Sequence, residues 1–132
     1  MHIKPDWSPA AICRGAIAFV WFYHGLVPKL LGPHPDELAM IMAMGLSPSV
    51  ATYISYMAGV GEIGFAACVL YFRQSEWPLW FTIVSMILLL AFVAVVAPAT
   101  LMAAFNPVSL NFAVIALALV ALKLQRNHNQ PG

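Results

Sequence analysis

The chain has 132 residues, of which 62% are hydrophobic and only 8% are charged, against roughly 25% charged in an ordinary soluble domain. So little polar surface excludes a soluble monomer. A formal net charge of +1 with no basic run excludes a nucleic-acid partner, and the length suits one membrane domain over residues 1–132.

In chain order, Lys4 precedes an apolar stretch from Ala16 that carries His24 and Lys29 and has no small-x-small cleavage site. It reads as a retained first span, not a signal peptide. A helix needs about 20 residues to cross the hydrocarbon core. Four segments qualify: residues 9–31, 48–72, 77–97 and 107–124. The last two share a stretch from Trp77 to Leu122 without a charged residue, which as one helix would run roughly 70 Å. Pro98 and Asn106-Pro107 divide it. Ser47-Pro48 and Asn106-Pro107 each place a capping side chain before a proline at the first helical position. Between spans one and two, Pro35-Asp36-Glu37, residues 38–44 and Gly45 predict a short amphipathic helix along the membrane surface. Residues 99–105 are apolar yet outside a span, and should fold back over the bundle mouth. The expected fold is therefore all-α: an antiparallel bundle of four transmembrane helices. Lys4, Arg14, Arg73, Lys123 and Arg126 fall on one side and Lys29 alone on the other, which puts both termini in the cytoplasm.

Polar residues at membrane depth are functional suspects, because a charge near the bilayer centre costs at least about 2.5 kcal/mol. Glu62 lies near mid-membrane. At 100° per residue Ala51, Ser55, Ala58, Gly59 and Ala66 share its face, while Tyr53, Val60 and Tyr71 point away. That face is small and polar, suited to close helix contact. On the first span Arg14, Trp21, Gly25 and Pro28 share a face, flanked by His24 and Lys29. Arg14 and Lys29 sit near opposite ends, where each can either snorkel to headgroups or meet a partner. His24 is deeper, and its depth approaches that of Glu62, so the two are expected to form one site. Asn111 of the fourth span, with Thr52 and Tyr56, should gather at the same outer end.

Other chemistry has little support. Cys13 and Cys68 are far apart with no Cys-x-x-Cys, which fits packing and not thiol exchange. His2 and His128 are terminal and His34 lies in a loop, so no metal ligand set is expected. Haem would want a second intramembrane histidine beside His24. Met40, Met42 and Met44 spread around a helix and read as packing residues.

The stretch Arg14 to Lys29, Arg-Gly-Ala-Ile-Ala-Phe-Val-Trp-Phe-Tyr-His-Gly-Leu-Val-Pro-Lys, resembles the opening span of the DoxX-like family. The likeness continues through Pro35-Asp36-Glu37, Gly59-Val60-Gly61-Glu62, Pro98 and Phe105-Asn106-Pro107. It implies a four-span fold and a neighbourhood of small membrane subunits of quinone-linked oxidoreductases. It also singles out Arg14, Trp21, His24, Gly25, Pro28, Lys29, Glu37 and Glu62 for test.

The expectation is a small multi-pass protein of the bacterial inner membrane, serving a redox process as a subunit with no self-contained catalytic motif. No cofactor is evident in the sequence. A quinone or lipid-like ligand could place its head near His24 and Glu62. The other reading is a structural subunit that packs against further membrane proteins or copies of itself. A small transporter is a third, weakened by the lack of an inverted repeat.

Overall fold

The computed structural model describes residues 7–130, so the expectations placed on His2 and Lys4 lie outside the described residues. Helix α1 (Pro9–Gly25) runs into a π turn (Leu26–Leu30) and together they form the first long apolar helix. A short α2 (Pro35–Met42) follows, then α3 (Pro48–Tyr71), α4 (Trp77–Val96), a 3-10 turn (Pro98–Met102) and α5 (Pro107–Asn129). Among the described residues four helices are long and apolar enough to cross a membrane.

The caps explain the starts. Ser8, Ser47 and Asn106 each accept a hydrogen bond from a first-turn N–H, at 3.2, 3.4 and 3.1 Å, and a proline follows each. Such side chains satisfy N–H groups that have no intrahelical partner. Gly45 ends the turn after α2 at φ 86°, a left-handed conformation that other residues resist. The π turn has a local cause. Pro28 has no N–H to give and its ring crowds the carbonyl one turn back, so the backbone widens and Leu31 N–H bonds Leu26 O at 2.9 Å. The fourth span runs on to Asn129, beyond the expected end at 124, because Gln125 and Arg126 continue the helix and bond to the loop before α4.

Both faces of these helices are apolar, so size and polarity decide which side turns inward. Ala51, Ser55, Gly59 and Ala66 of α3 are buried, as their shared face with Glu62 predicts. Tyr53, Val60 and Tyr71 are exposed on the opposite side. Close packing of small residues, not hydrophobicity, is what can hold helices together in lipid. The core is built from Ile17, Trp21, Val69, Leu79, Val114 and Ala118 with their neighbours.

Helix α1 packs chiefly on α3 and α5, and α4 on α5, whereas α3 and α4 scarcely meet. Their meeting point is aromatic: Phe65–Phe81 centroids are 4.6 Å apart, Phe72–Trp77 5.5 Å and Phe65–Trp77 6.0 Å. These rings sit at the end of the bundle that carries the chain termini, here the terminal end. Toward the opposite, distal end a gap remains between α3 and α4.

At the terminal end Glu76 binds Arg126 through two bonds of 2.9 and 2.7 Å and accepts from Trp80 Nε1 at 3.2 Å. Hydrogen bonds from Arg126 and then Trp80 hold its carboxyl down at about 2. A carboxyl depressed in the fold contributes stability above its ordinary value near 4.5 and loses it as pH falls toward 2. Melting curves of the wild type and Glu76→Gln in detergent should differ slightly above pH 5 and converge below pH 3. The difference is small because the pair is exposed. A gap that persists unchanged at acid pH would contradict the linkage.

Candidate functional site

The distal gap is a cavity of about 860 Å³. Its walls are α1, α3, α4 and α5, with α2 and the segment after α4 over its mouth. Six of the expected site residues line it: Trp21, His24, Lys29, Glu37, Glu62 and Asn111. Arg14 does not, and sits at the terminal end. Thr52 and Tyr56, expected at the same outer end as Asn111, are not among the residues that line the cavity. Thr52 instead turns back to bond Pro48 O at 2.9 Å, and Tyr56 is exposed. The apolar residues 99–105 do contribute to the mouth, through Thr100, Ala104 and Phe105.

Two glycines set the depth of the polar group. Gly25 and Gly59 lie where α1 and α3 cross. A Cβ on Gly25 would come 2.6 Å from Gly59 O, and one on Gly59 2.7 Å from Gly25 O. The same added atoms would stand 3.0 Å from Glu62 Cβ and Lys29 Cβ respectively. The backbone crossing and the ionic site are thus one piece of structure.

Lys29 holds that site together. Its Nζ is 3.1 Å from Glu37 Oε1 and 3.3 Å from Glu62 Oε1, and the side chain is only 10% exposed. Lys29 therefore does not snorkel outward; its ammonium is received by one carboxylate from α2 and one from α3. The π turn at Leu26–Leu30 carries Lys29 onto the face that looks at α3, and such turns frequently occur at functional sites. The second oxygen of Glu62, Oε2, is buried without a hydrogen-bond partner among the described residues, as is Ser55 Oγ on the same helix face.

His24 and Glu62, expected to form one site, line the same cavity, but no direct hydrogen bond joins them. Glu62 meets Lys29 instead, since an ammonium answers a carboxylate in a low-dielectric site better than a neutral imidazole does. His24 shares the cavity with Glu62 from the α1 wall. Trp21 forms part of the floor, donating from Nε1 to Thr82 Oγ1 at 3.2 Å and meeting Phe65 edge-on at 4.8 Å. Asn111 closes the α5 side, its Nδ2 donating to Met86 O at 3.1 Å. Thr82, the partner that fixes the indole, carries no sequence signal beyond being a hydroxyl in an apolar run.

The group can accept hydrogen bonds, bind a proton or meet a positively charged head. Among the described residues no group of three His, Cys, Asp or Glu side chains is placed to hold a metal ion, and both cysteines are free.

Arg14 performs a different task. It is 5% exposed and donates to Val69 O at 3.2 Å, Ser75 O at 2.7 Å and Gln125 Oε1 at 2.7 Å. One guanidinium thus ties the end of α3, the loop before α4 and the fourth span to α1. Gln125 in turn donates to Gln74 O at 2.6 Å. Arg14→Lys, a single ammonium without the planar fork, cannot span these acceptors. It should lower stability by roughly 1.5–3 kcal/mol, read as an earlier melting transition in detergent. An unchanged transition would mean that headgroup contact alone suffices.

The fold and site define a multi-pass membrane protein: four apolar helices around a polar-headed cavity. The chain belongs to the DoxX-like family, whose model matches residues 18–119. No curated protein and no solved structure matches it.

Proposed function

We propose that the chain is a small ligand-holding subunit of a membrane redox process, taking a quinone or similar polar-headed amphiphile into the distal cavity. The observation that carries this reading is the head of the cavity. Lys29, Glu37 and Glu62 form a largely buried ionic group there, and one carboxylate oxygen has no hydrogen-bond partner among the described residues. The volume of about 860 Å³ lies in the range of small-molecule sites, which are largely apolar with a few convergent polar groups. Ile54 and Ala58 of α3 face Leu89 and Phe92 of α4 across the gap, an apolar passage suited to a tail lying in the bilayer.

Quinone chemistry suits such a head. A quinol hydroxyl can donate to Glu62, a quinone carbonyl can accept from Lys29 or His24, and reduction of a bound quinone by two electrons takes up two protons that the carboxyl groups can relay. The electron donor would be another protein, so the subunit itself supplies binding and proton handling.

The test is a mild-detergent purification followed by solvent extraction and a redox difference spectrum. A near-stoichiometric quinone signal is expected in the wild type, reduced at least tenfold in Glu62→Gln. An empty extract, together with a stoichiometric protein partner found by mass spectrometry, would favour a purely structural subunit.

Orientation completes the proposal. Arg14, Arg73, Lys123 and Arg126 lie at the terminal end, while Lys29 is consumed in ion pairs at the distal end. Basic residues favour the cytoplasm, so the cavity faces the outer half of a bacterial inner membrane. A phosphatase active only outside the cytoplasm should work when fused after Gly45 and fail after Ser75. The reverse pattern would invert the assignment.

A further inference from the structure

A second recess, of about 650 Å³, lies at the terminal end between the start of α1, the end of α3 and the last turns of α5. We infer that it binds the phosphate headgroup of an anionic phospholipid. This site goes beyond the distal cavity and does not depend on the redox reading.

Among the described residues its lining includes Arg14, Arg73 and His128 and no carboxylate. Arg14 is the anchor. Its guanidinium is buried and fixed, yet all three of its bonds go to neutral oxygens, so its charge is held in place and not neutralised. Among the described residues the one carboxylate of this end, Glu76, is engaged by Arg126. Among the described residues Arg14, Arg73 and Lys123 make no ion pair. Lys4 and Asp6 lie outside the described residues and cancel in formal charge. The amino end of α1, from Ser8 to Ala11, adds the positive pole of a long helix to the same recess. An uncompensated buried cation beside the exposed Arg73 and His128 side chains attracts an anion with little reorganisation.

The apolar part of the wall points to a lipid and not to a free ion. Leu70 and Leu124 line the recess, and Leu70 is more than half exposed on the flank of α3. A phosphodiester seated against Arg14 and Arg73 would leave its acyl chains along that flank. Basic recesses between helices at a membrane surface commonly hold acidic lipid heads.

The test uses the full chain in mild detergent, with unfolding followed by tryptophan fluorescence. Added phosphatidylglycerol should raise the midpoint by about 3–5 °C more than phosphatidylcholine does. Millimolar inorganic phosphate should leave it unchanged. Arg73→Gln should remove at least half of the phosphatidylglycerol increment, His128→Ala a smaller part, and Arg73→Lys should retain most of it. Because Arg73 and His128 are exposed, these variants should fold. Equal increments from the two lipids, or an undiminished one in Arg73→Gln and His128→Ala, would overturn the inference. A full increment from phosphate alone would reassign the site to a free anion.

Discussion

Replacing Lys29 by Met should destabilise the protein by roughly 3–5 kcal/mol, the range for removing one partner of a buried ionic group. The variant leaves Glu37 and Glu62 facing each other at the cavity head with no cation between them. Glu62→Gln should cost much less, because an amide oxygen still accepts from Lys29 and the second ion pair, to Glu37, survives. In Lys29→Met/Glu62→Gln the loss should be smaller than the sum of the two singles, since the amide relieves the repulsion that the Met creates. Coupling of about 1–3 kcal/mol is expected. Melting of the four proteins under one detergent and one pH measures it. Strict additivity would mean that Lys29 and Glu62 act independently and that their closeness contributes nothing.

The second large effect concerns the helix crossing. Gly25→Ala and Gly59→Ala should each destabilise by about 1–3 kcal/mol, as overpacking of a close contact does. Each added methyl would meet a carbonyl oxygen of the opposite helix at 2.6 or 2.7 Å. Backbone cannot rotate away as a flexible side chain can, so α1 and α3 must separate and carry Lys29 from Glu62. Ligand retention in the distal cavity should fall with stability. Gly61→Ala and Gly64→Ala are the controls. Neither added methyl meets anything within 4 Å, and alanine favours the helix by roughly 0.5–1 kcal/mol, so both should be neutral or slightly stabilising. Equal behaviour at all four glycines would remove the special role of the crossing.

Much of the architecture was legible in the residues, for physical reasons. A bilayer demands long apolar helices with their backbone groups satisfied internally, and the serine, asparagine and proline punctuation marks where they begin. The inward face of α3 followed from 100° geometry because its small residues have no other use. The same geometry put Arg14, Trp21 and Gly25 on the inner side of the first span, with Lys29 only flanking that face. What escaped was the pairing. His24 and Glu62 have similar depth, but depth along two helices does not reveal which side chain reaches across. Lys29 reaches because a proline-induced π turn and a long flexible side chain bring its ammonium between α2 and α3. Pro28 marks where the turn falls, but nothing in the sequence says that the turn brings the ammonium between two carboxyl groups. Gln125 as partner of Arg14 is 111 positions away, beyond any local rule. The cavity itself depends on α3 and α4 failing to pack at one end, a property of the whole bundle and not of either helix.

Under the proposed function the distal cavity holds a polar-headed amphiphile against Lys29, Glu37 and Glu62. Trp21 lies in its wall, so a short-chain quinone titrated into the purified protein in nanodiscs should quench its fluorescence. Saturable quenching is expected, and it should be lost in Trp21→Phe, where Trp7, Trp77 and Trp80 remain as emitters. Glu62→Gln, with its indole intact, should shift the half-saturation concentration upward by about tenfold or more. Linear, unsaturable quenching that is identical in the wild type and both variants would contradict the proposed function.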